Sequence, residues 1–92
     1  MLLKSIDKKI EDLGFTKVNE DEYGAEYKRY NKKYGYTQTV YIGHKKSGRH
    51  IIQSYDENLS DEKGIGNTCV GLTYREMKLF TKKMAKVGLK SA

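Results

Sequence analysis

A chain of 92 residues with eighteen Lys/Arg, twelve Asp/Glu and a formal charge of +6 is long enough for one hydrophobic core and too short for two. Its single cysteine, Cys69, excludes an intramolecular disulfide and a cysteine-ligated zinc site, and no apolar run approaches the roughly 18–20 residues that span a bilayer. A cytoplasmic protein without a membrane partner is expected, and its positive charge suits nucleic acid, anionic surfaces or acidic proteins as well as plain solubility.

From Leu2 to Leu13 the apolar residues Leu3, Ile6, Ile10 and Leu13 recur at three- and four-residue spacing, which predicts a helix with Lys4, Asp7, Lys8, Glu11 and Asp12 on its other sides. Gly14 supplies the left-handed conformation that closes a helix, and Phe15 and Val18 then fold back onto the apolar stripe. Between Tyr23 and Tyr55 the period changes to two, in a stretch rich in Tyr, Thr, Val and Ile that is cut at Asn31–Gly35 and at Lys45–Gly48. Three strands are predicted, at about Tyr23–Tyr30, Tyr36–Gly43 and Arg49–Tyr55, with connections short enough for an antiparallel meander. In the middle strand Tyr36, Gln38, Val40 and Ile42 share one face, and Thr37, Thr39 and Tyr41 the other. The register of the third strand stays open, because Ile51 and Ile52 are adjacent and only one of them can face the core.

Asp56 to Gly71 shows neither period, and this long loop is mobile, functional, or hides a short strand near Thr68–Val70. Thr73 and Glu76 then form a capping box flanked by Leu72 and Met77 in the places of a hydrophobic staple, so a second helix starts there. Met77, Phe80, Met84 and Val87 line one side of it and Gly88 ends it. The whole predicts one α+β domain over residues 1–92, in the order α-β-β-β-α, with a three-stranded antiparallel sheet and both helices on one face. Ile6, Ile10, Phe80 and Met84 should then share a core with Val40 and Ile42.

Two basic groups stand out. On the second helix Arg75, Lys78, Lys82 and Lys86 recur at helical spacing opposite Met77, Phe80 and Met84, either as a contact for phosphates or as the solvated face of an amphipathic helix. Lys28 and Arg29 with Lys32 and Lys33 are interleaved with Tyr27, Tyr30 and Tyr34, the mixture of cations and rings that single strands of nucleic acid require. With only two Phe and no Trp in the chain, tyrosine must also supply core. If the helices cover the Val40/Ile42 face, then Tyr41, Thr37 and Thr39 point to the opposite, open side together with Lys28 and Tyr30, and Tyr55 joins them in the matching register.

Other patterns carry less. His44 and His50 flank a tight basic turn and approach each other in a hairpin, but two histidines without a carboxylate or thiolate at defined spacing do not make a metal site. Gly64-Ile65-Gly66-Asn67 lacks the third glycine and the following Lys-Ser/Thr of a phosphate-binding loop. Nothing marks Cys69 as an activated nucleophile, and no pair of titratable groups is spaced for acid–base work.

The helix–three-strand–helix order resembles that of double-stranded-RNA-binding domains, which span minor grooves by shape. Their glycine turn directly ahead of a lysine-rich helix start has no counterpart here, since the first helical turn reads Tyr74-Arg75-Glu76. In its Lys/Tyr/Asn/Ile bias and the segment Gly66-Asn67-Thr68-Cys69-Val70-Gly71-Leu72-Thr73-Tyr74, the chain resembles small uncharacterised proteins of low-GC Gram-positive bacteria, their phages and mobile elements. That resemblance implies binding to a macromolecule rather than catalysis. The expectation is a non-enzymatic module without cofactor that meets a protein through Lys28, Tyr30, Tyr41 and Tyr55. The alternative is nucleic acid held by Arg29, Lys32, Lys33, Arg75, Lys78, Lys82 and Lys86.

Overall fold

The computed structural model describes residues 5–44, 49–60 and 69–91, with backbone alone at 59, 60 and 87–91. Leu3, the Lys45–Gly48 turn and the Gly64–Asn67 stretch therefore lie outside the described residues, as does the Val87 side chain.

Helix α1 (Ile6–Asp12) begins where the Ser5 side chain accepts a hydrogen bond from the Lys8 N–H at 3.1 Å, the capping contact expected of a serine in that place. It stops ahead of Gly14, whose φ of +98° is open to glycine at little cost. The chain then enters a strand that the apolar period did not reveal. Strand β1 (Thr16–Asp21) precedes β2 (Gly24–Asn31), β3 (Tyr36–His44) and β4 (His50–Asp56), so the antiparallel sheet has four strands in the order β1-β2-β3-β4 rather than three. β1 escapes the pattern because its only large apolar residue, Val18, is 48% exposed at a bulge between Lys17 and Asn19. Val18 does not return to the stripe of α1. The strand is a charged edge, and charge with a bulge keeps an edge from pairing with other chains.

Helix α2 (Glu57–Ser60) follows β4, and the backbone N–H of Val70 then donates to the Ser54 carbonyl at 2.9 Å while Cys69 bridges to Tyr55. The short strand anticipated near Thr68–Val70 is this one-rung extension of the β4 edge. Helix α3 (Tyr74–Ser91) starts at the predicted capping box: Glu76 N–H donates to Thr73 Oγ1 at 3.2 Å, and Thr73 N–H donates to Glu76 Oε1 at 2.9 Å. It runs through Gly88, which does not end it.

α1 and α3 pack on one sheet face. The buried core comprises Ile10, Phe15, Ala25, Tyr27, Val40, Ile42 and Phe80, with Ile6, Leu13, Ile52, Leu72, Leu79 and Met84 against it. The β3–β4 register, with Ile42 opposite Ile52 and Gly43 opposite Ile51, turns Ile52 inward and Ile51 outward. Phe80 meets the Phe15 ring edge-on at 5.3 Å and the Tyr27 ring at 5.4 Å, an arrangement favoured by the ring quadrupoles.

Two charged side chains turn inward. Asp7, assigned to a solvent side, and Lys83, which carried no assignment, meet against the sheet with Lys17 and Glu20 of β1. Lys83 Nζ lies 3.0 Å from Asp7 and 2.6 Å from Glu20, and Lys17 Nζ lies 3.1 Å and 3.3 Å from the same two carboxylates. The Tyr27 hydroxyl donates to Asp7 at 2.8 Å. Burial pushes the Asp7 carboxyl up, but the donors on Tyr27, Lys83 and Lys17 outweigh it and hold the group at about 2. Glu20 is likewise lowered, chiefly by its hydrogen bond from Lys83.

Asp7 and Glu20 are held below their unfolded values, so their contribution to stability is complete above the ordinary carboxylate range. It should be lost as pH falls from about 4 through about 2. Tyr27→Phe should cost about 1 kcal/mol and move the Asp7 transition upward, as read by urea unfolding across that range. Stability that stays level from pH 5 to 2 would count against this linkage.

Candidate functional site

The capping glutamate also ties α3 to the rest of the fold. Glu76, 7% exposed, gives one oxygen to its own helix cap and the other to Arg29 Nη1 at 2.8 Å. That guanidinium donates further to the Leu13 carbonyl at 3.0 Å and to Gln38 Oε1 at 2.9 Å, and stacks over the Phe15 ring at 4.1 Å. One side chain of β2 thus ties the end of α1 to the start of α3. The Lys83 and Asp7 contact holds the same helices together at a second point.

Between these helices runs a groove of about 550 Å³, lined by Lys9, Asp12 and Leu13 of α1 and by Tyr74, Arg75, Lys78, Leu79 and Lys82 of α3. Its apolar floor, Leu13 and Leu79, is packed on the core. The inner side of α3 holds Phe80 and Met84 of the predicted apolar side together with Glu76 and Lys83, while Met77 is 41% exposed, so the staple predicted through Met77 does not form. The helix is turned toward its charged residues because two of them have partners inside. As a result Arg75, Lys78 and Lys82 border the groove instead of facing away from the fold.

Arg75, Lys78, Lys82 and Lys86 are all exposed. Among the described residues neither they nor Lys9 forms an ion pair, whereas Lys8, Lys17, Lys28, Arg29 and Lys83 all do. Lys78 Nζ lies 5.3 Å from the centroid of the Tyr74 ring, which is 79% exposed.

The Lys28–Lys33 cluster is divided by the fold. Tyr27 is fully buried and Arg29 is the clamp just described, so both are structural. Lys32, Lys33 and Tyr34 sit exposed in the β2–β3 turn, with Lys33 Nζ 5.3 Å from the Tyr34 ring centroid. Because β2 ends there just past Arg29, this turn lies at the same end of the sheet as the first turn of α3.

Lys28, Tyr30, Tyr41 and Tyr55 do share the outer sheet face. Lys28 stands opposite Thr39 and Thr39 opposite Tyr55, with Tyr30 opposite Thr37 and Tyr41 opposite Glu26. They differ in access. Tyr30 is 62% exposed, but α2 packs against β3 and β4, and its Glu57 pairs with Lys28 and raises the Lys28 ammonium by that hydrogen bond. Thr39 between them is buried, and its Oγ1 finds no hydrogen-bond partner among the described residues. Tyr41 lies on Gly43, where a Cβ would fall 2.8 Å from the ring, and it borders a hollow of about 270 Å³ with Tyr23, Asp21 and Glu26.

His44 and His50 pair across β3 and β4, their rings stacked at 4.2 Å and their Nδ1 atoms 2.6 Å apart. Among the described residues no group of three or more His, Cys, Asp or Glu gathers to hold a metal ion. No helix of the described residues is long and apolar enough to cross a membrane.

Comparison with known proteins finds no matching family, no matching curated protein and no matching solved structure. The groove therefore rests on its own chemistry. Tyr74, Lys9 and Asp12 carry no site role in the sequence alone: Tyr74 is one residue of a capping segment, and the other two lie on a helix whose neighbour the sequence does not name. Replacing Arg29 by Leu should strand the buried Glu76 carboxylate and cost about 3 kcal/mol. Arg75→Ala, one residue from that carboxylate but exposed, should stay within about 0.5 kcal/mol; equal losses in urea unfolding would refute the division into clamp and ridge.

Proposed function

We propose that this chain is a nucleic-acid-binding module that seats phosphates along the α3 ridge of Arg75, Lys78, Lys82 and Lys86, with Lys9 across the groove. The observation that carries the reading is the division of the cations. Lys17, Lys28, Arg29 and Lys83, whose side chains lie on or against the sheet, are each matched to a carboxylate, whereas the cations along the groove, like Lys32, Lys33 and Arg49 at the ends of the strands, have none among the described residues. From Arg75 to Lys86 the ridge extends about 16 Å at the rise of an α-helix, enough to meet several phosphates of one strand. Neutralising them releases condensed counterions, which is the main source of sequence-independent affinity for nucleic acid. Lys32 and Lys33 extend the positive surface at the Tyr74 end.

Binding should accordingly weaken steeply with salt. Replacing Lys78, Lys82 and Lys86 together by Ala should flatten the slope of log affinity against log salt by about one unit per lost contact. The fold should persist, since all three side chains are exposed. Absence of binding to any DNA or RNA near 50 mM salt would overturn the reading.

A second reading has one observation in its favour, the 62% exposure of Tyr30 on the outer sheet face. A protein partner docking there through Tyr30 and Tyr41, beside Lys28 and Tyr55, would lose about 2 kcal/mol of affinity on Tyr30→Ala if that ring anchors the contact. Lys82→Ala would leave such a partner unaffected, which separates the two readings.

A further inference from the structure

Resting on the nucleic-acid reading, we infer that the α1–α3 groove is a subsite for an unpaired nucleobase stacked on Tyr74, so that the ligand is a single strand rather than a duplex. A ridge that met only phosphates would need no cavity beside it. Here the cations stand over a groove of about 550 Å³ with an apolar floor of Leu13 and Leu79 and an aromatic ring at its mouth. Tyr74 is 79% exposed, so its ring contributes little to the core and offers a face to a planar partner. Lys78 Nζ lies over one face of the ring, 5.3 Å from its centroid, so a base would stack on the other face with this cation close by for its phosphate. Base stacking on aromatic side chains beside a cationic track is how single strands are held without regard to sequence.

The charge on the two walls orients the strand. The α3 wall carries Arg75, Lys78 and Lys82, while the α1 wall carries Lys9 alone among cations, beside an Asp12 whose carboxylate lies 3.6 Å from Lys8 Nζ. Phosphates therefore follow the more cationic α3 wall, and the base enters toward α1. In a duplex the bases are stacked and paired within the helix and cannot reach such a floor without being flipped out at the cost of pairing.

The test uses the full chain and fluorescence anisotropy with three labelled ligands of one length: a mixed-sequence single strand, its blunt duplex, and an abasic single strand that keeps the phosphates and lacks the bases. The normal single strand should bind at least about fivefold more tightly than the other two, and Tyr74→Ala should weaken it by about fivefold to a hundredfold. The salt slope should not change, and Tyr74→Phe should restore the affinity, since the ring rather than the hydroxyl makes the stack. If Tyr74→Ala leaves single-strand affinity within twofold, or the abasic strand binds as well as the normal one, the base subsite is refuted. In that event the Lys78/Lys82/Lys86 variant still decides the phosphate reading. If no ligand binds at low salt, the phosphate reading itself fails and the subsite with it.

Discussion

The fold depends on a closed ring of charges at the margin of the core, in which Lys83 is the buried member. Lys83 reaches inward from α3 to Asp7 of α1 and Glu20 of β1, Lys17 closes the ring between the same two carboxylates, and Tyr27 donates to Asp7 from β2. Four elements meet at this point. A lysine that is 7% exposed is tolerable only with matched anions, because an unpaired buried charge costs several kcal/mol and a paired one is close to neutral. The ring therefore adds less to stability than to uniqueness: a shift of α3 by one turn against α1 would leave Lys83 without partners. The same contacts lower Asp7 and raise Lys17, the two sides of one interaction.

The Arg29 clamp applies this logic at the other end of the interface between the helices. Its guanidinium joins the carbonyl closing α1, the glutamate capping α3, and Gln38 of β3, which in turn donates to Ser54 of β4 at 2.8 Å. With both ends of the helix pair pinned, the groove between them has fixed walls. Preorganised walls matter for binding, because side chains and helices already in place lose less entropy when a ligand arrives.

These two networks also explain the surface. By binding carboxylates on the inner side of the helices and along β1, they remove a large part of the acidic charge from the helical face. What remains on α3 is a cationic row beside a neutral apolar floor. The outer sheet face is different, with Glu57 held against Lys28 and with Asp21 and Glu26 beside Tyr41. The row of α3 cations without ion pairs among the described residues lies on the helical face, and a polyanion would be steered there.

Much of the architecture was legible in the sequence. Three- and four-residue spacing located α1 and the core positions Ile10 and Phe80, alternation located β2, β3 and β4, and the Thr73/Glu76 pair marked the start of α3, because each signal arises from local geometry that neighbouring residues share. The basic ridge was legible for the same reason. Strand β1 was not, since Lys17 and Glu20 satisfy its inner face by charge pairing and leave no apolar alternation to read. The groove was not legible either. Tyr74 and Asp12 lie 62 positions apart by their numbering, and whether Lys83 is solvated or buried depends on carboxylates that only the packing of α1 and β1 brings to it. Long-range charge partnership, which no local period encodes, was left for the tertiary structure to decide.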